Sequence, residues 1–325
     1  MYNDKIYSLQ ALRAIAALLV VARHSWQSVL VGGAGVDLFF VISGFTMVYA
    51  SQKDFGHKES IVPFLTRRFM RIYPTYWACT LLMIFCGERI TSEILIYSIS
   101  LAQGGSDPFI LDPAWTLAYE VFFYLVFSIW LCLPLVYAIA GVIASLLVVV
   151  IGGQDIFIIG GYSSPIILEF GAGVLLAVAY CKGMRLGMLP MLATLGFGLA
   201  LFVVFSFLKY EPSTAWARLI TWGIASVFVV SALVLGPQLV VWKNKFLQLL
   251  GDASYSIYLI HWVIMYGIAK TPHYKLASFL LSAFCGVGFY ILAEKPFLAY
   301  AKSKLSWLTH PKGGEPEAKT RSTAI

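Results

Sequence analysis

The stretch LQALRAIAALLVVARHSWQSVL, residues 9–30, places two titratable side chains inside an otherwise apolar helix. Arg13 and His24 are eleven residues apart, and eleven steps of about 100° come within about 20° of whole turns. Both side chains therefore share one helix face, about 16 Å apart along the axis. Titratable groups inside a membrane segment are costly and usually functional. This face thus predicts a site with a cation near one membrane surface and an imidazole near the other.

The overall composition predicts that this helix lies in a membrane. Of the 325 residues, 60% are hydrophobic and 12% are charged, and the mean hydropathy is +0.82. This balance is far more apolar than that of a soluble globular chain. The sequence therefore predicts an all-α, polytopic integral membrane protein. Its five cysteines lack CxxC spacing, so we expect neither a metal site nor a disulfide framework.

Apolar segments of roughly 17 to 25 residues predict about ten transmembrane helices. The segment 90–103 is too polar to span and is predicted to be an interfacial helix. Residues 309–325 have no apolar periodicity and are predicted to form a disordered tail. The predicted spans are Ser8–Leu30, Gly35–Ser51, Phe69–Cys86, Leu117–Leu133, Tyr137–Gly153, Ser163–Cys181, Met188–Leu208, Ala217–Gly236, Ser254–Ala269 and Leu276–Ala293.

Lysine and arginine are distributed unevenly between the loops. If the amino terminus is cytoplasmic, the inner loops collect most of them, including the TRRFMR run at 66–71 and the basic segment from Lys295. The positive-inside rule then predicts a protein of the inner (plasma) membrane with both termini in the cytoplasm. Anionic lipid headgroups explain the net charge of +7, so no nucleic-acid partner is expected.

With this orientation, three groups that can carry protons fall toward the outer side of their spans. They are His24, Asp37 in GVDLFFVISGF and Glu120 in AWTLAYEVFFY. Arg13 falls toward the cytoplasmic side. The sequence therefore predicts that His24, Asp37 and Glu120 can meet near the outer face.

The inner side carries an arginine cluster, FLTRRFMRIYPTYW at 64–77. Arg68 and Arg71 are three residues apart and share a helix face, and Arg67 is adjacent. Arginine forks suit phosphate oxygens, so this cluster is a candidate site for the phosphates of coenzyme A. A topological stop flanked by interfacial aromatic residues explains the cluster equally well.

These motifs together resemble the membrane-bound acyltransferase-3 family, most closely its exopolysaccharide O-acetyltransferases of the succinoglycan type. Arg13 and His24 match the family's arginine, ten residues, histidine motif, and GVDLFFVISGF follows it. Arg68 and Arg71 match its RxxR motif, and Trp115 and Glu120 match its tryptophan and glutamate block. GDASYSIYLIHW at 251–262 and AEKPF at 293–297 match its last two spans, so the resemblance predicts one transmembrane acyltransferase domain over 1–308.

The resemblance implies O-acylation of a glycan hydroxyl outside the cytoplasm with a cytoplasmic acyl-CoA as co-substrate. Acetyl-CoA is the donor that the resemblance favours, and a succinyl or longer acyl group stays open. No permanently bound cofactor and no metal are expected, and the implied partners are acyl-CoA, a glycan or lipid-linked sugar acceptor and membrane lipids. The basic mouth would hold the nucleotide, and the face from Arg13 to His24 would line the channel for the pantetheine arm. Arg67, Trp115 and His261 are further candidates for binding substrate.

His24 is the best candidate for the base, because an alcohol needs a base with a pKa near 7 to become an effective nucleophile. Asp37 or Glu120 could orient the imidazole, as the acidic member of a catalytic triad does. A covalent acyl-enzyme on His24 is the alternative route. The sequence does not separate these possibilities.

Each of these side chains also has a structural interpretation. His24 could pair across helices, Asp37 could pair with Arg23, and Glu120 could be a carboxylate that stabilises a helix N-terminus. Trp115 could be an interfacial anchor. The principal functional alternative is a secondary transporter or glycan flippase, although the chain shows no matching half-chains of the kind that many transporters have.

Overall fold

A computed structural model of the chain describes residues 5–87, 90–103, 109–156, 160–268 and 275–304. Within these ranges it contains helices and no strand, which confirms the all-α prediction. The predicted tail at 309–325 lies outside the described residues. The helices are α1 Tyr7–Ser25, α2 Ala34–Ala50, α3 Ile61–Phe85, α4 Ser92–Ser100, α5 Ala114–Trp130, α6 Leu135–Gly152, α7 Leu168–Cys181, α8 Met188–Phe207, α9 Ala215–Arg218, α10 Ile224–Leu235, α11 Lys245–Asp252, α12 Ser254–Ile268, α13 Lys275–Phe289 and α14 Lys295–Lys304.

Short irregular helices join some of these elements. Leu219–Gly223 is a π-helical turn between α9 and α10, and Tyr290–Glu294 is another between α13 and α14. A π-turn holds one more residue than an α-helical turn, so it shifts the helix face that follows. Turns of 3-10 helix occur at Leu30–Gly33, Lys58–Ser60, Gly160–Tyr162, Pro165–Ile167 and Val240–Lys243.

Five helical segments of the described chain are long and apolar enough to cross a membrane. Two shorter apolar helices, Ala114–Trp130 and Pro165–Cys181, accompany them. Helix α1 carries Arg13, Arg23 and His24 and is not among the five. The larger number of about ten spans, and the cytoplasmic position of both termini, stay predictions. The five segments are Leu30–Ala50, Leu135–Gly152, Met188–Phe207, Ala215–Leu235 and Lys275–Lys304.

Helix α1 lies in the middle of the bundle, because α2, α10, α11, α12 and α13 all pack against it. Small side chains allow this close approach. Its polar residues are therefore held between other helices, and Arg13 points into the protein interior. The fully buried small residues of α1 are Ala11, Ala14, Ala16 and Ala17.

Helices α2 and α7 cross in close backbone contact, and glycine permits that contact from both sides. A Cβ atom added to Gly44 would lie 2.0 Å from the Phe170 carbonyl oxygen, and one added to Gly173 would lie 2.0 Å from the Val41 carbonyl oxygen. Small residues commonly allow such approaches between membrane helices. This crossing holds Asp37 of α2 beside α7.

Replacing Gly173 by alanine is expected to lower the free energy of unfolding by about 1–3 kcal/mol, because a side chain must be forced into a filled interface. Unfolding in detergent, followed by circular dichroism, measures the effect. Gly196→Ala is the matched control, since nothing lies within 4 Å of a Cβ added at that α8 position. Equal stability of the two variants would contradict the close α2–α7 packing.

Helix α4 docks on the side of α3. The Tyr73 hydroxyl donates to the Ser100 carbonyl at 2.9 Å, and the Trp77 indole nitrogen donates to the Ile99 carbonyl at 3.1 Å. The other side of α4 leaves Ile96 64% exposed. Such an apolar exposed side is what the sequence-based prediction of an interfacial helix requires.

Candidate functional site

Three guanidinium groups line one cavity between α1, α3 and α5. Arg13 comes from α1, and Arg68 and Arg71 come from one face of α3. None of the ion pairs shorter than 4.0 Å among the described residues involves these three arginines. The cavity therefore holds an excess of positive charge, which suits an anionic ligand. Its volume is about 80 Å³, roughly that of two or three water molecules.

Arg68 is held between aromatic rings. Its guanidinium carbon lies 5.4 Å from the Phe64 ring centre and 5.7 Å from the Tyr124 ring centre, within the range of cation–π attraction. Its buried Nε has no hydrogen-bond acceptor in the part of the chain that the structure describes. An unsatisfied buried donor is costly, so a phosphate or carbonyl oxygen of a ligand would be favoured there.

Glu120 faces the same cavity as the arginines. The Ser43 hydroxyl donates to its Oε1 at 3.0 Å, and the Tyr124 hydroxyl donates to the same oxygen in a short hydrogen bond. The two donors fix the carboxylate within the guanidinium cavity. The structure therefore groups Glu120 with Arg13, and not with His24 as the sequence predicted.

His24 forms a pair with His261 at the end of α1. The ring centres are 5.0 Å apart, and Trp262 lies edge-on to His24 at 5.4 Å. The His24 Nδ1 lies 2.9 Å from the Val20 carbonyl oxygen, and because that oxygen can only accept, Nδ1 carries the proton. Nε2 of this exposed imidazole is then the basic nitrogen.

His261 is fully buried and similarly oriented by backbone. Its Nδ1 forms a short hydrogen bond with the Tyr258 carbonyl oxygen, and its Nε2 has no partner among the described residues. Its ring lies beside that of His24. The structure therefore brings together His24 and His261, two residues that the sequence assigned to different roles.

Tyr258 connects the guanidinium cavity with the histidine pair. Its side chain lines the cavity, and its ring centre is 5.8 Å from that of His261. Its hydroxyl donates to the Pro113 carbonyl at 3.0 Å and lies 2.8 Å from the Thr116 hydroxyl. The cavity and the pair are thus neighbours on either side of one tyrosine, and His24 itself does not line the cavity.

Asp37 is fully buried and forms a two-point ion pair with Arg218. The Arg218 Nε donates to Oδ1 at 3.1 Å and Nη2 donates to Oδ2 at 2.8 Å, while Nη2 also donates to the Gly33 carbonyl at 3.1 Å. The expectation that Asp37 pairs with Arg23 is therefore wrong. Arg23 instead contacts Glu211 at 2.8 Å on the surface. Asp37 and Glu120 do not meet His24 as the sequence suggested, because other cations and hydroxyls hold them.

Glu169 of α7 lies against the same ion pair, in an arrangement that depends on a glycine. Both of its carboxyl oxygens are buried, and neither meets the distance and angle of a hydrogen bond. A Cβ added to Gly223 would lie 2.6 Å from its Oε1, so a larger residue at this position would displace the carboxyl. Asp37, Glu169 and Arg218 thus form one buried charged cluster between α2, α7 and the π-turn.

Residues 6–294 match the family described as "Acyltransferase domain", which is the acyltransferase-3 family. The chain belongs to this family. The resemblance inferred from the motifs is therefore confirmed, and the protein is a membrane acyltransferase by family. The described helices and the family assignment agree on a membrane protein.

Individual relatives fall into the same group. The exopolysaccharide production protein ExoZ of Rhizobium meliloti is 31% identical over 318 residues, covering 88% of this chain and 96% of ExoZ. Acyltransferase MdmB of Streptomyces mycarofaciens is 29% identical over 155 residues, covering 39% of each chain. Peptidoglycan O-acetyltransferase OatA of Listeria monocytogenes is 28% identical over 154 residues, covering 40% of this chain and 25% of OatA. No solved structure matches the chain.

Two further candidate residues, Arg67 and Trp115, lie apart from the guanidinium cavity and from the histidine pair. Arg67 forms an ion pair with Asp54 at 3.0 Å, on the loop that follows α2. Trp115 lies under the Arg218 guanidinium, 5.8 Å from its carbon, and edge-on to Tyr119 at 6.0 Å. Trp115 therefore belongs to a cleft where α5 begins, apart from the guanidinium cavity.

Two residues at these sites were not predicted from the sequence. Arg218 was not assigned to any site, although the apolar run AWARLITWG around it indicates an arginine inside a helix. Ser43, in ISGF, was not among the candidate residues, although its hydroxyl contacts Glu120. Its partner is 77 positions away along the chain, so no local pattern gave a signal for this contact.

Proposed function

We propose that this protein transfers an acetyl group from cytoplasmic acetyl-CoA to a hydroxyl group of a surface or exported glycan. The observation that carries the proposal is the layout of α1, which has Arg13 in a cavity of three unpaired guanidiniums and His24 beyond it. The names of ExoZ and OatA, which refer to exopolysaccharide and to peptidoglycan O-acetylation, support a polysaccharide acceptor and an acetyl group.

The donor would bind with its phosphates at the guanidiniums. Charge-assisted hydrogen bonds to phosphate are among the stronger polar contacts, and within the described ranges Arg68 and Arg71 form no ion pair shorter than 4.0 Å. The pantetheine arm would extend past Tyr258 toward the histidines. Because the volume of the cavity is only about 80 Å³, the pantetheine arm must displace lining side chains such as Phe39 and Tyr258 as it enters.

The reaction then follows from the position of the free imidazole nitrogen. His24 Nε2 removes the proton of the acceptor hydroxyl as its oxygen attacks the thioester carbonyl. The carbon–sulfur bond breaks, coenzyme A leaves as a thiolate, and the imidazolium returns the proton to the sulfur. The Val20 carbonyl orients the ring in this scheme by accepting from Nδ1.

An acyl-enzyme on His24 is compatible with the same residues. In that route Nε2 attacks the thioester first, and the acceptor hydroxyl then takes the acyl group from the imidazole. Radiolabelled acetyl-CoA supplied without acceptor distinguishes the two routes, since only the second leaves the label on the protein.

Purified protein in proteoliposomes tests the overall proposal. Acetyl-CoA is supplied on one side and an exopolysaccharide fragment on the other, and mass spectrometry follows the fragment. A mass increase of one acetyl group is expected, with release of free coenzyme A. Passage of unmodified fragment across the membrane without coenzyme A release would favour a transporter and overturn the proposal.

Replacing Arg68 or Arg71 by alanine is expected to weaken acetyl-CoA binding about 10- to 100-fold, as the loss of a charge-assisted hydrogen bond predicts. Calorimetry or filter binding with detergent-solubilised protein measures the dissociation constant. Lys58→Ala is the control, because Lys58 is an exposed cation that directly precedes α3 and lines no cavity. Unchanged donor affinity in both arginine variants would return this cluster to a role in topology.

A further inference from the structure

A second cavity, of about 460 Å³, lies at the end of the bundle where α5 and α9 begin. Its size is within the roughly 300–1,000 Å³ of ordinary small-molecule sites. Three aromatic side chains, Phe109, Trp115 and Tyr119, contribute to its wall. Its polar lining side chains are Gln103, Asp112, Ser164, Ser213, Thr214 and Arg218. We refer to this cavity as the outer cleft.

The polar groups of the outer cleft suit a neutral ligand rich in hydroxyls. The buried Oε1 of Gln103 accepts no hydrogen bond from the described residues, so a ligand hydroxyl can supply a donor. The positive charge of Arg218 is already balanced by Asp37 at 2.8 Å, and the carboxylate of Asp112 can accept from ligand hydroxyls but disfavours an anionic ligand. Serine and threonine hydroxyls both donate and accept, which matches the hydroxyls of a sugar.

The aromatic side chains supply the other half of sugar recognition. A pyranose ring has hydroxyls at its edges and C–H groups on its faces. An aromatic side chain can cover such an apolar face, while the hydroxyl of a tyrosine or the indole N–H of a tryptophan keeps its own hydrogen bond. The Tyr119 hydroxyl donates to the Gly161 carbonyl at 2.9 Å, so its ring is fixed in place. The outer cleft therefore combines a rigid aromatic wall with several uncharged hydrogen-bonding groups.

One tyrosine connects the outer cleft with the histidine pair. Pro113, which lies between the cleft residues Asp112 and Trp115, accepts a hydrogen bond from the Tyr258 hydroxyl at 3.0 Å. The Tyr258 ring centre is 5.8 Å from that of His261, which pairs with His24. The outer cleft is thus on the side of Tyr258 that leads to the imidazole used in the proposed reaction.

We infer that the outer cleft binds a neutral pyranose segment of the acceptor and presents one of its hydroxyls to His24. This inference rests on the proposed function for the reaction but not for binding. Arg218 acts here as a positioning residue, because its ion pair with Asp37 anchors the segment 212–218 that forms one wall. The guanidinium cavity and the outer cleft then serve donor and acceptor separately.

Filling the outer cleft tests this inference. Ser213 is an exposed lining residue on a loop, so Ser213→Trp is expected to fold normally and to occupy the space. Gln154→Trp is the matched control, at an exposed position after α6 at the same end of the bundle but outside the cleft. Calorimetry measures binding of neutral gluco- and galacto-oligosaccharides of four to eight units to the full chain.

At least tenfold weaker oligosaccharide binding is expected for Ser213→Trp, with acetyl-CoA affinity unchanged and the control indistinguishable from the parent protein. Equal binding by Ser213→Trp and Gln154→Trp would overturn the inference, as would failure of every oligosaccharide to bind. If the parent protein binds oligosaccharide in this way but transfers no acetyl group, the proposed reaction fails and the outer cleft stands. If the parent protein transfers acetyl groups and Ser213→Trp leaves the KM for the acceptor unchanged, the proposed reaction stands and the inference about the outer cleft fails.

Discussion

A His24→Ala variant is expected to lose about 10²- to 10⁴-fold in kcat for acetyl transfer, the usual contribution of a positioned general base. His24 is the histidine of the pair whose ring is exposed, and its Nδ1–H is committed to the Val20 carbonyl. Removing it leaves no side chain with a free basic nitrogen at that exposed position. Acetyl-CoA affinity should stay within about twofold, because the guanidinium cavity does not include this residue.

Steady-state kinetics with purified protein, together with calorimetry of donor binding, measure the two quantities separately. His57→Ala is the control, since His57 is exposed on the loop between α2 and α3. Full activity of the His24 variant would exclude a histidine base at this position. Loss of donor binding together with activity would instead indicate a collapsed site.

An Asp37→Ala variant is expected to lose about 3–5 kcal/mol of unfolding free energy. Asp37 is fully buried and Arg218 is 21% exposed at the side chain, so removal of the carboxylate leaves a largely buried cation without its partner. Breaking one half of a buried ion pair is costly for this reason. The nearby Glu169 carboxyl makes no hydrogen bond to the described residues, so we expect it to replace Asp37 only in part.

Thermal or denaturant unfolding in detergent measures this loss. Asp54→Ala removes the carboxylate of the more exposed pair with Arg67, and should cost at most about 1 kcal/mol. A double variant, Asp37→Leu with Arg218→Met, should regain much of the stability, because it removes both charges. A stable Asp37→Ala protein that has lost only activity would assign Asp37 to catalysis instead.

Much of the architecture was readable from α1 and the apolar segments. The shared face of Arg13 and His24 follows from helical periodicity alone, and the RxxR spacing placed Arg68 and Arg71 on one face. These are local properties, set by residues within a few turns of one another. The helical fold and the family were predictable for the same reason.

The partners of the carboxylates were not readable. Asp37 and Arg218 are 181 positions apart, and which cation reaches a buried carboxylate depends on how helices cross. Depth along a span, the only coordinate that the sequence supplied, placed Glu120 beside His24. In the fold Glu120 lies on the face of α5 that meets Ser43 and the arginines, so rotation about the helix axis decided its neighbours.

The π-turn at Leu219–Gly223 makes segment length as important as residue identity. An α-helix advances about 100° per residue, so deleting one residue there would regularise the helix and swing Arg218 by that angle relative to α10. The guanidinium would then point away from α2, even though every chemical group had been retained. Insertions and deletions at this turn are therefore more disruptive than most conservative replacements, and natural variation in this region is expected to keep its residue count.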